Sequence, residues 1–287
     1  MRKPFLQLHT AVLLAGLTGV MGRLISLNEG LLVWYRMLFT MAALWILHLL
    51  SQRRTSKATH LPMLTGGIVA LHWVFFYASI KYANVSVGLL CFSSVGFFTA
   101  LLNPLFTRQK LDPTELALGS LVMLGIWLMF QVDASFKIGI LLGLISALLA
   151  TLFTLLNKRL LDKYTPGELT LYEMTGGWLL LTLLLPAYLY FFPQPSLLPS
   201  LPDFFWLLLL SLLCTVWAFH LSLRALSGIS AFTVNLSYNL EPVYGIALAF
   251  LLFREHKELN SGFYYGMLLI FIAVILQTFR VWKKKTA

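Results

Sequence analysis

The sequence predicts an all-α integral membrane protein of ten transmembrane helices, arranged as two inverted repeats of five. Three observations predict it. First, 59% of the 287 residues are hydrophobic and only 11% are charged, whereas soluble chains carry roughly 25% charged residues. Second, the chain divides into about ten apolar stretches of spanning length. A helix needs about 20 residues to cross a hydrocarbon core about 30 Å thick, so these stretches leave only short connections. Third, the stretches form two similar halves of five. An odd number of spans per half makes the second half enter the membrane upside down, the construction of many alternating-access carriers.

In the first half the apolar runs cover 6–25, 31–50, 62–80, 85–107 and 114–131. In the second they cover 137–157, 168–191, 203–223, 229–253 and 260–281. The repeats are therefore 1–134 and 135–287, parts of one membrane domain. The opening Met1-Arg2-Lys3-Pro4 resembles the charged start of a signal peptide. No small-residue cleavage site follows it, so the first run reads as a retained span. SQRRTSKATH (51–60) is a basic loop, and FFPQPSLLPSLPD (191–203) is a proline-stiffened one without Lys or Arg. With the amino terminus in the cytoplasm, only Arg23, Arg36, Lys81, Lys137, Arg254 and Lys257 of the 21 Lys and Arg fall toward the outside. That bias obeys the positive-inside rule and puts both termini in the cytoplasm of a cell inner (plasma) membrane protein. It also explains the net charge of +10 without a nucleic-acid partner.

The repeat is visible in the residues. NEGLLVWYRM (28–37) aligns with TPGELTLYEM (165–174) through Gly30/Gly167, Leu32/Leu169, Tyr35/Tyr172 and Met37/Met174. HWVFFYASIKY (72–82) resembles VWAFHLSLRA (216–225) in spacing, with Lys81 opposite Arg224 as interface anchors. Glycines recur inside spans, where they let helix backbones approach closely. Cys91 and Cys214 lie in separate spans, with no CxxC or Cys/His spacing, and read as small packing residues rather than a disulfide or metal site.

The strongest local signal is NLEPVYGIALAFLLFRE (239–255). Glu241 falls at the middle of its run, roughly 18 Å from either end. A charge at that depth costs about 2.5–3.5 kcal/mol on insertion scales, so it faces a cavity or a partner. Pro242 removes the hydrogen bond to the carbonyl of Tyr238 and is expected to kink the helix. Around it, Trp73, Phe76, Tyr77 and Ile80 share one helix face beside His72. Cys214, Trp217, His220 and Arg224 share a face of the eighth run, and Ala231, Asn235, Tyr238 and Pro242 a face of the ninth. Aromatic stripes mixed with His, Asn and Glu fit a partly wet chamber better than a dry contact. Arg36 and Glu173 occupy equivalent positions, each expected to pin a loop or gate at its own surface. Arg254 to Glu258 reads as a solvated outer connection.

Two five-span halves, the Glu241-Pro242 pair in the ninth span, Glu255 thirteen residues after that proline, and Arg36 resemble the EamA-type carriers of the drug/metabolite transporter superfamily. The resemblance covers essentially the whole chain. It implies a ten-helix inner-membrane carrier whose third, fourth, eighth and ninth helices surround a central cavity, with the first and sixth adding to its walls. In the first half Gly96 stands where the family often has the matching proline, and Gln109 where it often has the acid, so the halves have specialised. Glu255 at the matching position implies a cap or gate at the outer mouth.

The resulting expectation is a secondary transporter exporting a small polar or amphipathic metabolite, such as an amino acid, by alternating access. Its substrate-binding candidates are His72, Trp73, Tyr77, Trp217, His220, Asn235, Tyr238, Asn239 and Glu241. The partners are a small-molecule solute, the lipid bilayer and protons as candidate coupling ion, for which His72 and His220 are suited. No cofactor or metal is called for. Cations gathered near span ends argue against phosphorylated solutes. Alternatives are a membrane-embedded enzyme acting on a lipid or isoprenoid, or a channel. The chain lacks DxxD, HExxH and GxSxG arrangements for the former, an obvious filter ring for the latter, and a P-loop for ATP.

Overall fold

The computed structural model describes residues 2–51, 60–107, 110–132, 136–238 and 240–286, which are helical almost throughout, with no strand among them. The repeat boundary at 134/135, most of the 51–60 loop, Arg108, Gln109 and Asn239 lie outside the described residues. In the first half the helices are α1 (Arg2–Leu24), α2 (Glu29–Ser51), α3 (His60–Tyr82), α4 (Val85–Phe92), α5 (Val95–Thr107) and α6 (Pro113–Val132). In the second they are α7 (Lys137–Leu160), α8 (Pro166–Phe191), α9 (Leu201–Ser211), α10 (Ala218–Gly228), α11 (Ala231–Tyr238), α12 (Glu241–Phe253) and α13 (Ser261–Thr286). Leu212–Trp217 forms a π-helical turn joining α9 to α10.

Every apolar run falls on a helix. Among the described residues seven helical runs are long and apolar enough to cross a membrane, and Pro113–Met129, Glu241–Phe253 and Ser261–Leu276 are shorter apolar helices. Their outward faces carry large bare side chains, including Leu50, Leu183 and Leu251, each 77% exposed. In water such a belt would drive aggregation, whereas lipid is its natural solvent.

Local chemistry sets the helix ends. Thr165 and Glu168 make a reciprocal capping box with Pro166 in the first turn of α8. Asn84 accepts from the Val87 amide to start α4, and Ser200 from the Asp203 amide to start α9. The fourth and ninth runs are each two helices end to end. The first breaks at Ser93–Ser94 and the second between Tyr238 and Glu241. At the expected kink, a new helix starts at Glu241, just before Pro242. Pro242 sits in the first turn of α12, where no backbone donor is needed. Gly96 holds the matching second position of α5, so the first-half helix breaks without a proline.

The halves interleave. α2 packs on α8, α6 on α13, α1 on α10 and α3 on α7. The α3–α8 crossing is backbone to backbone, since a Cβ at Gly66 would lie 2.0 Å from the Glu173 carbonyl oxygen. α1 meets α12 at Gly16, where a Cβ would lie 2.9 Å from Tyr244 Cβ and 3.3 Å from the Glu241 carbonyl oxygen. That contact holds the start of α12 against the centre of the molecule.

Candidate functional site

Both halves contribute to one chamber, with about 110 Å³ open to the centres of water-sized molecules. α1, α2, α3, α7, α10, α11 and the two helix breaks supply its walls. Phe76, Phe92, Phe153 and Phe219 form an aromatic lining. Phe219 packs against Phe153 at 5.4 Å and Trp73 at 6.1 Å between ring centres.

Arg36 is the charged group that the sequence reading misplaced. It is 2% exposed and lines the chamber instead of sitting at a surface. The reason is where α2 begins. Asn28 caps the helix by accepting from the Leu31 amide at 2.9 Å, which puts Arg36 seven residues, about 10 Å, inside. Its Nε donates to Thr215 Oγ1 at 2.9 Å and its Nη1 to Tyr77 Oη at 2.8 Å. Its guanidinium carbon lies 3.7 Å from the centre of the Trp73 ring. Neutral hydroxyls and a π face lower the cost of burying the cation but leave it without a counter-charge. Thr215 reaches it from the π-helical turn, where its own hydroxyl donates to the Leu210 carbonyl at 2.9 Å. Wide turns of this kind recur at functional sites.

Glu241 faces the same space. It opens α12, is 4% exposed and is close enough for the Arg36 charge to act on it, yet the two form no ion pair. Asn235 donates from Nδ2 to Thr99 Oγ1 at 2.8 Å, tying α11 to α5 beside the chamber. His72 is held by Ser146, with Nδ1 3.0 Å from the carbonyl and 2.8 Å from the hydroxyl, and it stacks on Phe92. Trp73, Tyr238 and His72 all line the chamber.

Three of the residues expected to bind solute stand elsewhere. Tyr77 is fully buried behind the wall, packed on Gly22 and acting on the chamber through Arg36. Trp217, 50% exposed, and His220 line a separate groove with Leu44, His48 and Glu168 between α2, α8 and α10. The π-helical turn is the cause. Its extra residue rotates the following helix, so Cys214, Ala218 and Ser222 face inward where Cys214, Trp217 and His220 were expected. Asn239 lies outside the described residues. Phe153 and Phe219, which line the chamber, and Thr215, which holds Arg36 there, are not announced by the sequence, because an isolated apolar or hydroxyl residue in an apolar run gives no signal.

In the expected solvated connection Arg254–Glu258, Arg254, His256, Lys257 and Glu258 are exposed, and Glu255 is the exception. Glu255 is fully buried. It accepts from the Val85 amide at 3.0 Å, the Ser86 amide at 2.9 Å and the Ser86 hydroxyl at 2.6 Å, and it pairs with Arg23 at 3.2 Å. A carboxylate at a helix N-terminus meets unpaired amides and the positive end of the helix dipole. The left-handed Arg254, at φ 57°, turns the chain so that this carboxylate reaches α4. Nearby, Asp203 accepts from the Ser26 amide and hydroxyl at 2.7 and 2.6 Å. Lys81 donates to the carbonyls of Ile25 and Leu27.

A family model described as "EamA-like transporter family" matches residues 3–131 and again 137–279. A solved structure described as "Crystal structure of protein" superposes with a TM-score of 0.67 over 94% of this chain and 95% of that one. At 16% identity that likeness concerns the fold alone. No curated protein matches.

Proposed function

The chain belongs to the EamA-like transporter family, and from that premise we propose that it is a secondary carrier exporting a small amphipathic metabolite, such as an amino acid. Membership makes it a multi-pass membrane transporter of the drug/metabolite transporter superfamily. Ten spans, inverted halves and alternating access are the finer reading. The pairings of α2 with α8 and of α6 with α13 support it, since each joins equivalent spans of the two repeats about one axis. On this reading the membrane is the inner one and both termini are cytoplasmic. The Glu255 end of the molecule then faces outward and the Ser51–His60 end inward. The repeats are 1–134 and 135–287.

One observation carries the reading. A guanidinium without a counter-charge and a carboxyl group at a helix break face one aromatic-walled chamber built by both halves. The expectation drawn from cations near span ends does not hold for Arg36. A buried cation favours a solute that brings an anion, and the aromatic walls favour an apolar body. A zwitterion with an apolar side chain supplies both, its carboxylate on Arg36 and its ammonium on Glu241. His72, Asn235 and Tyr238 border the solute, and protons are the proposed coupling ion. Alternation follows when the halves rock about the chamber, so that one end opens as the other closes.

Vesicles containing the purified chain test this with radiolabelled L-phenylalanine. The wild type is expected to exchange the solute across the bilayer with saturation. Arg36→Met and Glu241→Gln are expected to lose most of that exchange. Arg36→Lys should restore little, because the planar fork that binds a carboxylate is lost. Exchange unchanged in both neutral variants would remove the two charges from recognition.

A further inference from the structure

Glu173 and Asn157 form a buried polar pair outside the chamber that the carrier reading leaves unused. Glu173 on α8 and Asn157 on α7 are both 0% exposed. Neither carboxyl oxygen of Glu173 and neither amide atom of Asn157 has a hydrogen-bond partner among the described residues. The two side chains face each other, near enough to bond after a small shift but outside bonding geometry here. Four unmatched polar atoms in one place are unusual in a folded protein and call for a reason.

The surroundings leave Glu173 without a counter-charge. α8 packs against α2, α3 and α10, with Asn157 reaching it from α7. The Arg36 guanidinium of α2 is engaged with Tyr77 and Thr215, and His72 of α3 with Ser146. Lys158 of α7 donates to the Leu226 and Ile229 carbonyls, and Arg159 to the Phe106 carbonyl. His220 of α10 lines the outer groove, and Arg224 is exposed. No cation among the described residues forms an ion pair with Glu173. An ionised carboxylate sealed there would lack both a cation and a donor, so the sealed group is the neutral acid. Asn157 stands one helical turn beyond Thr154, which lines the chamber, so the pair lies one step from it.

We propose that Glu173, with Asn157 beside it, is the site at which the carrier binds its coupling proton. The inference rests on the carrier reading and identifies the group that couples it. While the pair is sealed, the proton stays on the carboxyl oxygen. When α7 and α8 part toward the cytoplasm, entering water takes that proton and the hydrated carboxylate remains. The carboxylate is reprotonated through the chamber once that opens to the outer side, so each cycle of alternation carries one proton from outside to the cytoplasm. Glu241 is left free to hold the solute.

Infrared spectroscopy of the purified chain reads the proton without any solute. A protonated-carboxyl band is expected in the wild type, kept in Glu241→Gln, shifted in Asn157→Ala and lost in Glu173→Gln. A spectrum unchanged by Glu173→Gln would overturn the proposal. Vesicle transport of L-phenylalanine separates this from the carrier reading. Absence of exchange in the wild type would count against the carrier, whatever the infrared result. Where the wild type exchanges, Glu173→Gln is expected to exchange at a similar rate while losing accumulation driven by an imposed pH gradient. Retained accumulation would overturn the proposal, as would loss of exchange in a variant that elutes as a folded monodisperse protein.

Discussion

The two ends of the helix bundle are closed by different means. At the Glu255 end, buried acids tie segments of opposite halves. Glu255 takes three donors from Val85 and Ser86 and pairs with Arg23, while Asp203 takes two donors from Ser26. Glu29 accepts from the Tyr188 hydroxyl at 2.8 Å. At the other end the ties near the chamber are cations on carbonyls. Lys158 reaches Leu226 and Ile229, and Arg159 reaches Phe106. Chamber-lining Thr154, Leu226 and Val234 lie toward that same end. The carboxylates at the first end are buried, whereas Lys158 is half-buried and Arg159 exposed, so water weakens the second set of ties and the first end is the latched one. On the proposed topology, a carrier caught in this state has its outward side shut.

Breaking the latch should produce the largest effect. Glu255→Ala strands two backbone amides and Arg23, and removing one partner of a buried pair costs about 3 kcal/mol. Thermal unfolding in detergent should show the largest loss of Tm of any variant here, and a loss no greater than that of Lys158→Met would break the comparison. Asp203→Ala comes next, leaving the Ser26 amide and hydroxyl unmatched at about 1–3 kcal/mol. Its signature is faster hydrogen exchange around Ser26. The smallest effect is expected at the inner end. Lys158→Met gives up two contacts of a partly exposed cation, worth about 1 kcal/mol or less. It should raise solute exchange rather than unfold the protein, and unaltered exchange would show that the inner tie does not limit opening.

The sequence made the helices legible because lipid imposes length and apolarity on each span. It also made Glu241 legible, because a carboxyl in an apolar run stands out. Arg36 was readable in principle, since Asn28 followed by Glu29 is a helix-start signal that sets its depth. Glu255 was singled out only through the resemblance, and its partners were not readable. Its partners Val85 and Ser86 stand about 170 residues away, and nothing near position 255 announces them. The faces assigned to the eighth run failed at the π-helical turn, which shifts the register by one residue and moves Trp217 and His220 outward. Regular periodicity contains no sign of such an insertion. The Glu173–Asn157 pair was likewise hidden, because its meaning lies in missing partners.

The most direct test uses a thiol already in place. Cys214 lines the chamber, and Cys91, fully buried, can be replaced by serine. In membrane vesicles of both orientations, a membrane-impermeant maleimide is expected to reach Cys214 from the cytoplasmic face of the otherwise intact chain. Breaking the latch with Glu255→Ala should add labelling from the outer face. Labelling of the intact chain from the outer face alone, or outer access unchanged by Glu255→Ala, would contradict a chamber that is shut on the outward side by buried carboxylates.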